Sequence, residues 1–110
     1  MAQPTICPKF EKAISLLTQR WTTLVIYQLL RGTHRFSEIQ SAIGISGKVL
    51  SERLKELEQL EIIKREVIPD TPVMILYSLT DKGHSMEPIL KTIENWSQEW
   101  IETELENSTE

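Results

Sequence analysis

Hydrophobic positions recur along this chain in blocks whose period changes, and the changes mark its elements. After a loose opening, "CPKFEKAISLLT" sets Phe10, Ala13, Ile14 and Leu17 three and four residues apart behind a proline at the favoured first helical position, so a helix is predicted from Pro8 to Thr18. "RWTTLVIYQLLRG" follows with Trp21, Leu24, Val25, Ile26, Leu29 and Leu30, which wrap more than one side of a helix. It reads as the central buried helix, with Gly32 supplying the left-handed residue that ends it. A short third helix is expected with Ser37 as its N-cap, Ile39 and Ile43 inward, Phe36 packing on its entry and Gly44 stopping it. Gly44, Ile45 and Ser46 then separate it from a fourth helix that Ser46 caps, a short glycine-containing turn of the helix-turn-helix kind.

At 100° per residue, positions 46 to 60 place Val49, Leu50, Leu54, Leu57 and Leu60 in one arc and Lys48, Ser51, Glu52, Lys55 and Gln59 opposite them. Arg53 falls inside the apolar arc, where a guanidinium must snorkel outward or find an acceptor. The period then shortens to two. Residues 62 to 68 and 73 to 79 read as strands around a Pro-Asp-Thr-Pro turn, with Ile75, Tyr77 and Leu79 alternating as in a half-buried strand. Thr80 caps a last helical region in which Pro88 must start a second segment or bend the first. Met86, Ile89, Leu90, Ile93, Trp96 and Trp100 form its stripe, more apolar surface than so small a domain covers alone, which predicts a subunit interface. Helix, helix-turn-helix and hairpin in that order are the layout of a winged helix: a mainly α fold with a small β-hairpin wing, dimeric.

The totals narrow the function. The chain's 110 residues fit one domain, expected over 7–105 between an N-terminal tail at 1–6 and an acidic tail at 106–110. No apolar run reaches the length of a membrane span and the start lacks the layout of a secretory signal, so the expected compartment is the cytoplasm, with no membrane partner. The net charge of −4 is uneven: residues 1–86 hold 11 Lys and Arg against 9 Asp and Glu, while residues 87–110 hold 1 against 7. The acidic end is therefore expected to be a solvated region held away from any polyanion. One cysteine excludes an internal disulfide, although two chains could be joined through it. His34 and His84 stand far apart without further ligands at metal-binding spacing, and no nucleophile–base arrangement emerges, so no metal, no cofactor and no enzymatic activity are expected.

Several stretches carry a resemblance. "CP" before the first helix, "RW" opening the second, "RFSEI", "GISGKVLSERLKELE", "YSLTDKG" and "PIL" before a tryptophan are together similar to the HxlR family of bacterial winged-helix transcriptional regulators, relatives of the MarR type. The likeness spans about residues 7 to 101. It implies a homodimer joined through the first and last helices, binding operator DNA as repressor or activator, and some members of the family are redox sensors with a cysteine at this point of the pattern. Two features depart from the pattern: Asp70 and Thr71 between prolines at the wing tip, where a carboxylate opposes phosphate, and Gly47 early in the recognition helix, which leaves one contact without a side chain.

The candidate DNA-binding residues follow from that layout. Lys48, Ser51, Glu52 and Lys55 are expected to face bases or phosphates in the major groove, Glu52 as acceptor from a cytosine amino group, and Ser46 to serve as both cap and phosphate donor. Arg53 has two readings, a phosphate contact or an internal ion pair with Glu38 or Glu56. Arg35, Ser37, Lys64 and Arg65 are candidates to grip flanking backbone. Phe10, Ile14, Ile89, Ile93, Trp96 and Trp100 are the candidate dimer interface. Cys7, at the cap of the first helix beside Lys9, is a candidate low-pKa thiol that would register oxidants or electrophiles, against the alternative of a thiol with no signalling role. Two other readings share the fold: a protein-interaction module that does not bind DNA, and a regulator that answers a non-redox small molecule.

Overall fold

The computed structural model describes residues 5–103; positions 1–4 of the expected N-terminal tail and the expected acidic tail at 106–110 lie outside them. Helix α1 (Pro8–Leu17) starts at its proline with Cys7 as N-cap and ends at Thr18, whose hydroxyl donates to Ile14 O at 2.8 Å. The Thr23 hydroxyl, 2.7 Å from Leu17 O, fixes the corner into α2 (Arg20–Leu29). Helix α2 sends Val25, Ile26 and Leu29 into the core, and its buried Thr22 meets Gln19 Oε1 at 3.1 Å, so no polar group is stranded there. The helix stops short of the expected glycine: Leu30 is the C-cap, and Gly32, at φ +139°, turns the chain in the loop beyond.

That loop leads into an element the hydrophobic pattern did not predict. His34–Arg35 form a strand, β1, that pairs antiparallel with the second wing strand, His34 opposite Tyr77 and Arg35 opposite Leu76. Two residues are too few to show a period, and only the distant partner makes them a strand. The pairing also moves the next helix. α3 (Phe36–Ile43) is capped not by Ser37 but by Arg35, which the strand holds extended so that its N–H reaches Glu38 Oε1 at 2.7 Å, and Ser37 lies within the first turn.

The turn from α3 to α4 (Gly47–Gln59) is Gly44, Ile45 and Ser46, as the sequence predicts. Gly44 adopts the left-handed conformation at φ +70°, and Ile45 is buried beneath it. Leu50, Leu54 and Leu57 of α4 are buried and Val49 packs against them, whereas Leu60 is exposed because the helix has ended there and Glu61 turns left-handed at φ 60°. β2 (Ile63–Ile68) and β3 (Met74–Leu79) form the wing hairpin in register Ile63–Leu79 to Ile68–Met74, making a three-stranded sheet in the order β1–β3–β2. Ile62, Ile63, Tyr77 and Leu79 close the core from this side.

Pro88 resolves the last region into two segments. α5 (Asp81–His84) is a single turn capped by Thr80, and α6 (Glu87–Trp100) starts afresh with the proline in its first turn, where its missing N–H costs no hydrogen bond. Leu90 anchors α6 in the core, and the Tyr27 hydroxyl donates to Glu94 Oε2 at 2.5 Å, a contact that holds the phenol above its ordinary pKa. The radius of gyration, 16.8 Å, exceeds the ~13 Å of a compact chain of about this size, so the described residues form a body more extended than a sphere. Among the described residues no helix is long and apolar enough to cross a membrane.

Candidate nucleic-acid interface

Ser46 begins the site. Its Oγ accepts the Val49 N–H at 3.3 Å, which starts α4 cleanly one turn before its buried leucines. With the apolar side of α4 committed to the core, Lys48, Ser51, Glu52 and Lys55 all stand exposed on the other side. Gly47 opens α4 facing Gln40 and Phe36 of α3, and a Cβ there would make an ordinary contact, 3.6 Å from Gln40 Nε2.

Arg53 pairs with its neighbour one turn on. Its Nη1 lies 2.8 and 2.9 Å from the two carboxylate oxygens of Glu56, and Nη2 lies 3.9 Å from Glu52. Glu38, the other acceptor considered, is engaged with the Arg35 N–H. Among the described residues, no ion pair occupies Lys48, Lys55, Lys64 or Arg65.

The remaining candidates fall into two groups around α4. Arg65 on β2, opposite Tyr77 in register, lines one depression with Ser51, Lys55 and Glu58, so the wing's base extends the wet side of the helix. Lys64 and Arg65 also border a second hollow with Lys82, Glu58, Glu61 and Asp81. Arg35 and Ser37 instead share a hollow with wing-tip residues Asp70 to Ile75, which Lys48 and Lys55 do not line. The Asp70 carboxylate at that rim opposes a phosphate beside Arg35.

The pattern of hydrophobic residues did not single out Lys82 and Gly83. The Lys82 ammonium donates to Leu60 O at 2.7 Å, and Gly83 lies so close to Ile62 that a Cβ would sit 2.3 Å from its carbonyl oxygen. The sequence signal was present, since both residues belong to the quoted "YSLTDKG" stretch, but their partners lie across the fold at the foot of α4.

The candidate interface between copies is exposed throughout. None of the residues of α1 is buried, and Phe10 and Ile14 are 60% and 41% accessible. On α6, Ile89, Ile93, Trp96 and Trp100 are 46% to 67% accessible, and Ile6, before α1, and Ile101, after α6, are exposed as well. Cys7, at the N-cap of α1, is also exposed. The backbone N–H groups of Phe10, and then Lys9, hold its thiol below the ordinary range. It is the amide of Lys9 rather than its ammonium that contributes.

Comparison with known proteins gives a consistent answer. YvaP, an HTH-type transcriptional regulator of Bacillus subtilis, is 56% identical over 103 residues, 93% of this chain and 95% of that protein. The reduced form of the transcriptional regulator YodB from B. subtilis superposes with a TM-score of 0.78 at 46% identity, covering 89% of this chain and 97% of that one. Quinone-bound YodB superposes with a TM-score of 0.74 at 43% identity, covering 86% of this chain and all of that one. The HxlR-like helix-turn-helix family matches residues 16–105, the span that holds α2 through α6, and the chain belongs to that family.

Proposed function

We propose that the protein is a homodimeric, sequence-specific DNA-binding transcriptional regulator that responds to electrophiles or oxidants through Cys7. One observation carries the DNA-binding reading. α4 fills the core with Leu50, Leu54 and Leu57 and leaves Lys48, Ser51, Glu52 and Lys55 exposed, at the second position of a helix-turn-helix, the element that enters the major groove. Lys48, Lys55 and Arg65 supply charge to phosphate, while Ser51 and Glu52 offer hydrogen-bonding groups to base edges. Arg35 and Ser37, on the separate hollow, are flanking contacts at most.

The dimer reading rests on α1, a helix with no buried residue of its own, and on the tryptophans of α6. An isolated helix of this length is marginal in water, so a second copy covering Phe10, Ile14, Ile93 and Trp96 accounts for both. It also gives the two recognition helices a two-fold axis, which suits a palindromic site with half-sites about 34–36 Å apart.

The signalling reading rests on an exposed thiol whose pKa is lowered by main-chain amides, together with the likeness to a regulator whose structure holds a quinone. The Cys7 thiolate would add to a ring carbon of a quinone. A C–S bond forms, the displaced electron pair moves to a carbonyl oxygen, and that oxygen takes up a proton. With a two-electron oxidant such as diamide, two Cys7 thiols from separate copies would lose two protons and two electrons to form one inter-chain disulfide.

Selection of bound duplexes from a random pool, followed by titration with benzoquinone, tests the whole reading. The expected result is a palindrome, bound in a salt-sensitive manner and released by quinone from the wild type but not from Cys7→Ser. Recovery of no preferred sequence would remove DNA recognition, and equal release from both proteins would remove the thiol.

A further inference from the structure

One turn from the far side of the wing takes hold of three successive carbonyls at the foot of the recognition helix. Lys82 Nζ donates to Leu60 O at 2.7 Å. The Thr80 hydroxyl lies 2.6 Å from Glu61 O and 3.0 Å from Ile62 O, and the Thr80 N–H donates to Ile62 O at 2.9 Å. The same hydroxyl accepts the Gly83 N–H at 3.2 Å, so capping α5 and clasping α4 are done by one side chain. Gly83 permits the approach, as a Cβ there would meet Ile62 O at 2.3 Å and Leu79 Cδ2 at 2.9 Å.

What this turn joins gives it a role beyond packing. α5 runs within two residues into α6, with Met86 N on Gly83 O and Leu90 N on Met86 O, both at 3.1 Å. α6 carries the exposed Ile93, Trp96 and Trp100, while α4 carries the exposed Lys48, Ser51, Glu52 and Lys55. The base of one element is therefore tied to the start of the other through a clasp only a few residues long.

We propose that Lys82 and Thr80 are positioning residues that fix the angle between α4 and α6, and so set the half-site separation that the protein accepts on DNA. The inference rests on the dimeric DNA-binding reading above. The two residues differ in kind. Thr80 bonds through its main chain as well as its short side chain, and is part of the fold. Lys82 is an exposed arm whose charge favours the carbonyl end of a helix, so its bond can be removed while the core stays intact. Glu58, Glu61, Lys64, Arg65 and Asp81 surround it and balance to −1, so its own charge is felt locally.

Spacing is where such a clasp registers. Inserting one base pair moves a half-site by about 3.4 Å and turns it by about 34–36°. A rigid pair of recognition helices cannot follow that displacement, whereas a loosened pair can.

The test measures affinity for the selected palindrome and for versions with one base pair added or removed at its centre, using the full chain with Lys82→Met and Lys82→Arg. Wild type is expected to lose about tenfold per step, the scale of one spoiled base-pair contact. Lys82→Met should reduce that loss to about threefold, and Lys82→Arg should restore it. Thermal midpoint and sedimentation should match wild type. Uniformly weaker binding by Lys82→Met with an unchanged spacing profile would mean that the ammonium acts only as a charge near phosphate, and the proposal would be overturned. A wild type that sediments as a monomer, or selects no palindrome, defeats the dimeric reading first, and does so before any variant is compared.

Discussion

Arg53 is bound by Glu56, one helical turn away: its Nη1 faces both carboxylate oxygens, at 2.8 and 2.9 Å. Arg53 stands within the apolar arc of α4, and its side chain is 27% accessible. Glu56 thus neutralises a cation that, freed from this pair, could snorkel outward to a phosphate.

Glu56→Gln should therefore strengthen DNA binding several-fold, with the slope of log affinity against log salt steeper by about 0.9, the increment of one added phosphate contact. Its effect on folding should stay within about 0.5 kcal/mol, because an exposed pair of this kind contributes little and glutamine keeps the helix propensity. Fluorescence anisotropy on the selected palindrome at several salt concentrations reads the slope. An unaltered slope would place Arg53 outside the interface.

Truncating the terminal patch separates association from folding. Phe10 and Trp96 are 60% and 58% accessible in one protomer, so removing them costs its core little. If a second copy covers them, each alanine variant should weaken self-association by about 2 kcal/mol, near thirtyfold in the dimer dissociation constant. Sedimentation velocity at micromolar protein should then show monomer, with cooperative binding to the palindrome lost and the far-ultraviolet spectrum unaltered. A sedimentation coefficient equal to wild type in the double variant would assign the patch to some other partner.

How far the sequence could be read depends on how local each determinant is. The start of α4, its three-residue turn and its wet side follow from period and cap chemistry within a few residues, and Ser46, Gly44 and Leu50 stand where that chemistry puts them. The acceptor of Arg53 was open between Glu38 and Glu56. It is decided by helical geometry for one, and for the other by a strand that engages Glu38 in capping Arg35. That strand, β1, could not be seen, because its only reason to exist is Leu76 and Tyr77 across the sheet. Ser37 was misassigned as a cap for the same cause. Leu60 looked like core because periodicity does not reveal that the helix stops one residue earlier. Lys82 and Gly83 stand out only as members of the "YSLTDKG" stretch, since their roles depend on carbonyls brought to them by the fold.

Gly83 offers a sharp check on that packing. An added Cβ would lie 2.3 Å from Ile62 O, and because that oxygen is main chain, already bonded by Thr80 N, it has nowhere to retreat. Gly83→Ala should lose at least about 2 kcal/mol, the overpacking range, equivalent to about 8–16 °C in the midpoint for a domain of this size. Gly47→Ala is the matched control. Its Cβ would find Gln40 Nε2 at 3.6 Å, an ordinary contact, and at a helical position alanine should be neutral or stabilising by up to about 1 kcal/mol. Differential scanning calorimetry on both separates them, and equal midpoints would contradict the close approach of α5 to the foot of α4.

The thiol of Cys7 makes a prediction about pH in which two effects have opposite signs. The amides of Phe10 and Lys9 depress its pKa in the folded chain, so thiolate persists to lower pH than in the unfolded chain. The corresponding linkage with folding is present above the unfolded value and lost as pH falls through the folded one. In reactivity, the larger thiolate fraction makes the native protein faster with iodoacetamide at low pH. Above both pKa values every thiol is ionised, and the less basic native thiolate becomes the slower nucleophile, since nucleophilicity falls with pKa at a Brønsted slope of about 0.4–0.5. Plotted against pH, the rates for native and urea-unfolded protein should therefore cross between the folded and unfolded pKa values, native ahead on the acid side and behind on the alkaline side. The thiol is exposed, so burial does not explain a rate difference in either direction. Parallel profiles without a crossing would show that the helix start leaves Cys7 an ordinary thiol, and the sensing role would lose its chemical basis.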